Sequence, residues 1–255
     1  MFYSNTTFIG IDPTAGEKPL VYAAIDREKQ VLALSEGRLD DVLAFVAGQR
    51  QAVVVVCGPR QPNLGLMKRP EVRQALAQPP SPGRWENFRV ADYCLRRHNF
   101  SVMPIFEDEE RCAKWMRQAF EIFRRLLAIG YELYPQPGAE RLCMETYPHA
   151  AFSVMLEQLP FPKHTLEGRL QRQLLLYVRD LNISDPMQIF EEITRHRVLK
   201  GILPLEDLCS PAELDALVAA YTGLVAASQP DQVSLIGDPD EGQVVLPVSS
   251  LKSRY

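Results

Sequence analysis

The stretch FIGIDPTAGEKPLVYAAID, residues 8–26, decides how the chain folds. An apolar run ends in Asp12, the turn-rich text PTAGEKP follows, and a second apolar run closes the segment. Apolar, partly β-branched runs split by Pro and Gly read as strands joined by a hairpin. The reading gives strands at residues 6–12 and 20–26, and a third at 31–36 after the REK turn. It also leaves a carboxylate where a buried strand leaves the core. A surface turn opened by Asp-Pro explains that placement. So does a metal site that needs a carboxylate on a rigid support.

Outward from this segment the pattern alternates. RLDDVLAFVAG, residues 38–48, sets Leu39, Val42, Leu43 and Val46 on one helical stripe, with Gly48 as a stop. AVVVVCGP, residues 52–59, is an unbroken apolar run, as expected of a strand buried on both faces. Loop text such as RQPNLG and QPPSPG follows, around one helix in RWENFRVADYCLRRHNF. Residues 107–130 carry Met116, Ala119, Phe120, Phe123, Leu126 and Leu127 at helical spacing. RLCMETYP, residues 141–148, reads as a second inner strand ending at Glu145, after which Pro148 opens a helix. A helix over 165–180 bears Arg169 and Arg172, and DPMQIFEEITRH is expected to open with Asp185 as cap and Pro186 in the first helical position. In SPAELDALVAAYTG, Ser210 caps, Pro211 starts the helix and Glu213 completes a capping box. VSLIGDPDEGQVVLP reads as a hairpin. Three hairpin-linked strands followed by helix–strand–helix–strand–helix imply a mixed sheet with helices on both faces. A single domain over 1–255 is expected, with 60–105 and the helices of 160–205 as insertions.

Composition narrows the function. The chain has 255 residues, 46% hydrophobic and 24% charged, as expected of a soluble globular protein. No apolar run approaches the ~20 residues that span a bilayer, and MFYSNTTFIG, without a basic n-region or an h-region, is expected to carry no export signal. Five scattered cysteines without a C-x-x-C pair point to reduced thiols and a cytoplasmic location. A net charge of −4 argues against coating nucleic acid by charge alone. The basic patches LRRH, FRRLL and TRHRVLK are short and form no continuous stripe. A small site in which a metal ion bridges to phosphate remains compatible.

Three acids sit in unusual places: Asp12 and Glu145 at strand ends, and Asp215 inside an apolar helix. Asp215 is the fifth helical residue, beyond the strong reach of the helix dipole, and its neighbours Val218, Ala219 and Thr222 are small or apolar. A buried lone carboxylate costs several kcal/mol or takes up a proton, so Asp215 needs a metal, an arginine or a hydrogen-bond donor. If the three acids converge at one sheet edge, a hard divalent ion, Mg²⁺ or Mn²⁺, is the fitting cation. Two such ions ~4 Å apart can assist phosphodiester cleavage.

The ordered set GID (10–12), CGPRQPNLGLM (57–67), RVADYCLRRHNFSVMP (89–104), ETYPHAAF (145–152), KHTLEGRLQR (163–172), LDALVAAYTG (214–223) and GDPDEGQVVLP (237–247) resembles the domain of unknown function 429 family. Its members are predicted nucleases with a ribonuclease H-like fold. The resemblance spans nearly the whole chain. It implies an α/β, ribonuclease H-like mixed five-stranded sheet with helices on both faces, helical insertions and a C-terminal β-hairpin. It implies Asp12, Glu145 and Asp215 as catalytic, metal-facing acids, and Lys163, Arg169 and Arg172 as phosphate contacts. His149, four residues after Glu145, reads as a helper acid, metal ligand or substrate contact, or as an exposed side chain in a first helical turn. Arg89 and Asp92, at i, i+3, read as a structural ion pair. One departure stands out: where relatives carry an acid in Asp-x-Pro, this chain has Cys57. The implied function is metal-dependent nucleic-acid cleavage. The alternatives are a weakened or non-catalytic domain that binds nucleic acid or protein, and an ATP-dependent phosphotransferase. The phosphotransferase would need a second domain, and the sequence shows no duplication.

Overall fold

The computed structural model describes residues 6–14, 18–77, 79, 81, 83, 85–192, 195–203 and 205–255. The chain opens with β1 (Thr7–Asp12), β2 (Leu20–Ile25) and β3 (Val31–Gly37), paired antiparallel in sequence. Helix α1 (Leu39–Ala47) buries Val42, Leu43 and Val46 and leads into β4 (Ala52–Val56), every residue of which is buried. Next come α2 (Pro70–Ala75), α3 (Val90–Arg97), α4 (Lys114–Ala128), β5 (Glu132–Leu133) and β6 (Arg141–Glu145). The chain continues through α5 (Pro148–Leu156), α6 (Leu166–Tyr177), α7 (Gln188–Glu192), α8 (Arg195–Leu199), α9 (Pro211–Ser228), β7 (Ser234–Asp238) and β8 (Gly242–Leu246).

Among the described residues, one eight-stranded sheet runs in the order β3-β2-β1-β4-β6-β8-β7, with β5 added alongside β6. Strands β1, β4, β6 and β8 are parallel. The sheet is therefore larger than the five strands expected. The C-terminal hairpin is no appendage: β8 joins β6 with Glu145 opposite Val244. Val244, Val245 and Leu246 are buried on both sides, which a hairpin reading of the sequence does not anticipate. Asp185 Oδ1 accepts the Met187 amide at 2.9 Å, as a cap does, but the first turn closes i to i+3, with the Gln188 amide 3.2 Å from Asp185 O, so helix α7 begins at Gln188 and not at Pro186. Among the described residues no helix is long and apolar enough to cross a membrane.

Alternation along the strands divides the core. Phe8, Val53, Val55 and Met144 face one side and pack with α5 and α9. Ile9, Ile11, Val54, Val56 and Cys143 face the other and pack with α1 and α4. Helix α9 is buried almost all round, as its sequence requires. Its capping box is formed: Ser210 Oγ accepts the Glu213 amide at 3.2 Å, and Glu213 Oε2 accepts the Ser210 amide at 2.6 Å. The helix lies directly on the sheet because two contacts lack side chains. A Cβ on Gly10 would fall 1.9 Å from Ala216 O, and one on Gly223 would fall 2.8 Å from Val55 Cγ2.

Candidate functional site at the carboxyl edge of the sheet

The close approach of Ala216 to Gly10 fixes what happens two residues further along β1. Asp12 ends that strand at 9% exposure, and Asp215, beside Ala216, is 6% exposed. Asp12 Oδ1 accepts the Thr14 amide at 2.7 Å, the Asx turn suggested by Asp-Pro. Asp215 Oδ2 accepts Lys163 Nζ at 2.7 Å. Lys163 stands just before α6, whose start is held by Thr165 Oγ1 accepting the Gly168 amide at 3.1 Å. Cys57 follows β4 on the same side of the sheet and donates its thiol to Asp215 O at 3.3 Å.

Electrostatics join these groups. Burial pushes the Asp12 carboxyl up to about 6, and the Asp215 carboxylate adds to the rise; the Thr14 amide and Lys163 offset only part of it. Burial pulls the Lys163 ammonium down, yet Asp215 and Asp12 hold it protonated, with a net upward shift. Burial, then Asp12 and Asp215, push the Cys57 thiol well up, so it is a neutral donor and not a thiolate ligand.

The remaining expected contacts lie around this group but are differently engaged. Arg172 Nη1 donates to Phe161 O at 2.7 Å and to Gly168 O at 2.9 Å, and its guanidinium lies 5.4 Å from the Phe152 ring centre. Arg169 donates to Cys209 O at 2.9 Å and Leu208 O at 2.5 Å, tying α6 to the segment before α9. Both arginines, expected as phosphate contacts, are bonded to backbone carbonyls. His149 sits edge-on to Tyr147 and Phe100, and burial, with Arg172 next, lowers its pKa; the imidazole is neutral at neutral pH.

Glu145 belongs to a second network. The ladder pairs Ile11 with Val56 and Val56 with Glu145, so Glu145 shares a face with Ile11 and lies opposite the Asp12 side. Arg89 Nη1 donates to both Glu145 oxygens, at 3.1 and 3.0 Å, and the Arg60 amide donates at 2.8 Å. Arg89 Nε also meets Asp92 Oδ2 at 3.2 Å, the ion pair read from i, i+3 spacing. Burial pushes the Glu145 carboxyl up against the pull of Arg89. For Arg89 burial acts downward, but Asp92 and Glu145 outweigh it and hold the guanidinium charged. Glu241, fully buried, completes the network by accepting the Leu64 amide at 3.0 Å and the Val90 amide at 2.8 Å. Glu241 falls in the turn of the hairpin text VSLIGDPDEGQVVLP, where nothing local signals its burial. Cavities of about 170 and 340 Å³ open on this side and share Arg60, Phe123 and Leu133; neither is lined by Asp12 or Asp215.

The structure thus brings together Asp12, Asp215, Lys163 and Cys57, with His149 and Arg172 within electrostatic reach, and sets Glu145 apart with Arg89. Among the described residues no group of three or more His, Cys, Asp or Glu side chains is arranged to hold a metal ion. Two carboxylates with one ammonium leave a net negative charge, which fits one hard divalent ion that keeps most of its waters. They do not fit a two-ion centre, since the position at 57 is a thiol and Glu145 is committed to Arg89.

No curated protein matches the chain. The family model described as "Protein of unknown function (DUF429)" matches residues 10–241, from the glycine beneath α9 to the glutamate that caps α3, and the chain belongs to this family.

Proposed function

We propose that the chain is a metal-dependent phosphodiester hydrolase acting on nucleic acid, built on a ribonuclease H-like sheet. One observation carries the reading: two buried carboxylates lie at the carboxyl edge of the central parallel strands, near enough that Asp215, after burial, helps push Asp12 up to about 6. A fold tolerates such crowding of like charge mainly where function uses it. The path β3-β2-β1-β4-β6, in which only β2 runs against its neighbours, supports the fold assignment. The crevice beyond the carboxyl ends of parallel strands is the usual ligand position in open α/β sheets. Five thiols without a disulfide fit a reducing compartment, the cytoplasm.

One Mg²⁺ or Mn²⁺ held by Asp12 and Asp215 would supply Lewis-acid polarisation of a phosphoryl oxygen and an acidified water. The chain's own residues have separate tasks. Lys163 offers an ammonium that can reach a phosphate at the partly open mouth of the site, its side chain being 42% exposed. Arg172 adds positive field from its fixed position. His149, neutral at neutral pH, accepts or returns one proton. Glu145 holds the end of β6 through Arg89.

A second reading, a domain of the same fold that binds nucleic acid or protein without cleaving it, is favoured by Cys57 in the place of an acid and by the Lys163–Asp215 ion pair. Incubation of labelled single-stranded, duplex, hybrid and branched substrates with Mg²⁺ or Mn²⁺ separates the two. Cleavage that depends on the metal and disappears in Asp12→Asn supports the hydrolase. Retention of substrate without cleavage in every arm supports the binding domain.

A further inference from the structure

Lys163 is the one member of the central group that is not buried. Asp12, Cys57 and Asp215 sit on β1, the end of β4 and α9, all buried, whereas Lys163 lies in the segment between α5 and α6 and its side chain is 42% exposed. Its ammonium nevertheless reaches 2.7 Å from Asp215 Oδ2. Resting on the metal-site reading above, we infer that Lys163 is a resident cation that fills the Asp12–Asp215 site and must withdraw from Asp215 before a divalent ion enters. The argument is one of charge. An ammonium and a divalent ion compete for the same carboxylate oxygen, and at this distance they repel strongly in a site of low effective dielectric. The ammonium cancels only one of the two carboxylate charges, so a doubly charged ion is the better match once the lysine has left. Withdrawal costs little packing, because a lysine side chain is flexible and this one is already partly open to solvent. The lysine head, once released, stays at the mouth of the site. Ion entry and the freeing of a phosphate-binding ammonium are then one event, which confines the competent arrangement to the metal-loaded protein.

The test titrates Mn²⁺ against thermal unfolding of the full chain, without substrate. Lys163→Met and Lys163→Gln remove the charge, the second keeping a hydrogen-bond donor to Asp215 in case the first folds poorly; Lys163→Arg keeps the charge. The Met and Gln variants are expected to lower the Mn²⁺ midpoint about tenfold or more, and the Arg variant to leave it near the wild-type value. In the wild type, saturating Mn²⁺ should speed amine acylation at Lys163, read by peptide mass mapping. A wild type that responds to Mn²⁺ while the Met and Gln variants show an unchanged or higher midpoint overturns the inference and leaves the metal site standing. Unchanged acylation of Lys163 in the Mn²⁺-loaded wild type overturns it too. No response to Mn²⁺ in the wild type or any variant removes the metal-site reading itself, and the inference with it.

Discussion

Asp12→Asn gives the sharpest consequence of the buried acid pair. The carboxyl rises from 3.8 to about 6 in the folded chain. Below 3.8 both folded and unfolded states hold the proton, and ionisation costs nothing. Between 3.8 and about 6 the unfolded state releases it first, so stability falls as pH rises. Above about 6 the folded state carries the full penalty, roughly 3 kcal/mol at about 1.4 kcal/mol for each tenfold change. Asparagine removes the charge, keeps the shape, and still accepts the Thr14 amide through Oδ1. For a chain of this length about 1 kcal/mol moves Tm by about 2–4 °C. Thermal unfolding in EDTA should therefore show Asp12→Asn melting about 6–12 °C above the wild type at pH 8, and close to it at pH 4. A lower Tm at pH 8, or the same difference at both pH values, would show that Asp12 is not a destabilised buried charge.

Other outcomes follow from the same packing. Gly10→Ala places a Cβ 1.9 Å from Ala216 O, so α9 must lift from β1. A loss of about 3 kcal/mol or more is expected in chemical denaturation, with Mn²⁺ binding lost as Asp215 moves away from Asp12. Glu145→Gln breaks a buried pair with Arg89 and should cost about 3–5 kcal/mol, yet leave the Mn²⁺ midpoint of the surviving folded protein unchanged; a lost Mn²⁺ response would return Glu145 to the metal site. Cys57→Asp adds a third carboxylate beside Asp12 and Asp215. It should lower Tm in EDTA and enlarge the Mn²⁺-induced rise. Cleavage seen only in this variant would identify the natural chain as a degenerate nuclease.

Local signals in the sequence carried much of the fold. Strands β1 to β3, the Gly48 stop of α1, the Ser210–Glu213 capping box and the Arg89–Asp92 pair all depend on residues within a few positions of one another. The burial of Asp215 was legible too, because helical spacing put apolar neighbours around it. What stayed hidden depended on strand parity and distant partners. RLCMETYP is apolar on both faces, so nothing local says whether Met144 or Glu145 shares the side of Asp12. The answer lies in the pairing of Val56 with Glu145, between segments far apart in the chain. Lys163 was singled out as a phosphate contact, but its bond to Asp215 spans 52 residues and has no sequence signature. The carbonyl bonds of Arg169 and Arg172, the burial of Glu241 and the two-residue strand β5 were beyond reach for the same reason. Residues 15–17 of the turn-rich text PTAGEKP lie outside the described residues.

The central claim is that Asp12 and Asp215 share one divalent ion. Crystals soaked in Mn²⁺ and measured at the manganese absorption edge test it most directly. The account predicts a single anomalous peak in contact with both carboxylates and with Lys163 displaced from Asp215. An empty site with the lysine still in place, or a peak against Glu145 instead, would contradict it.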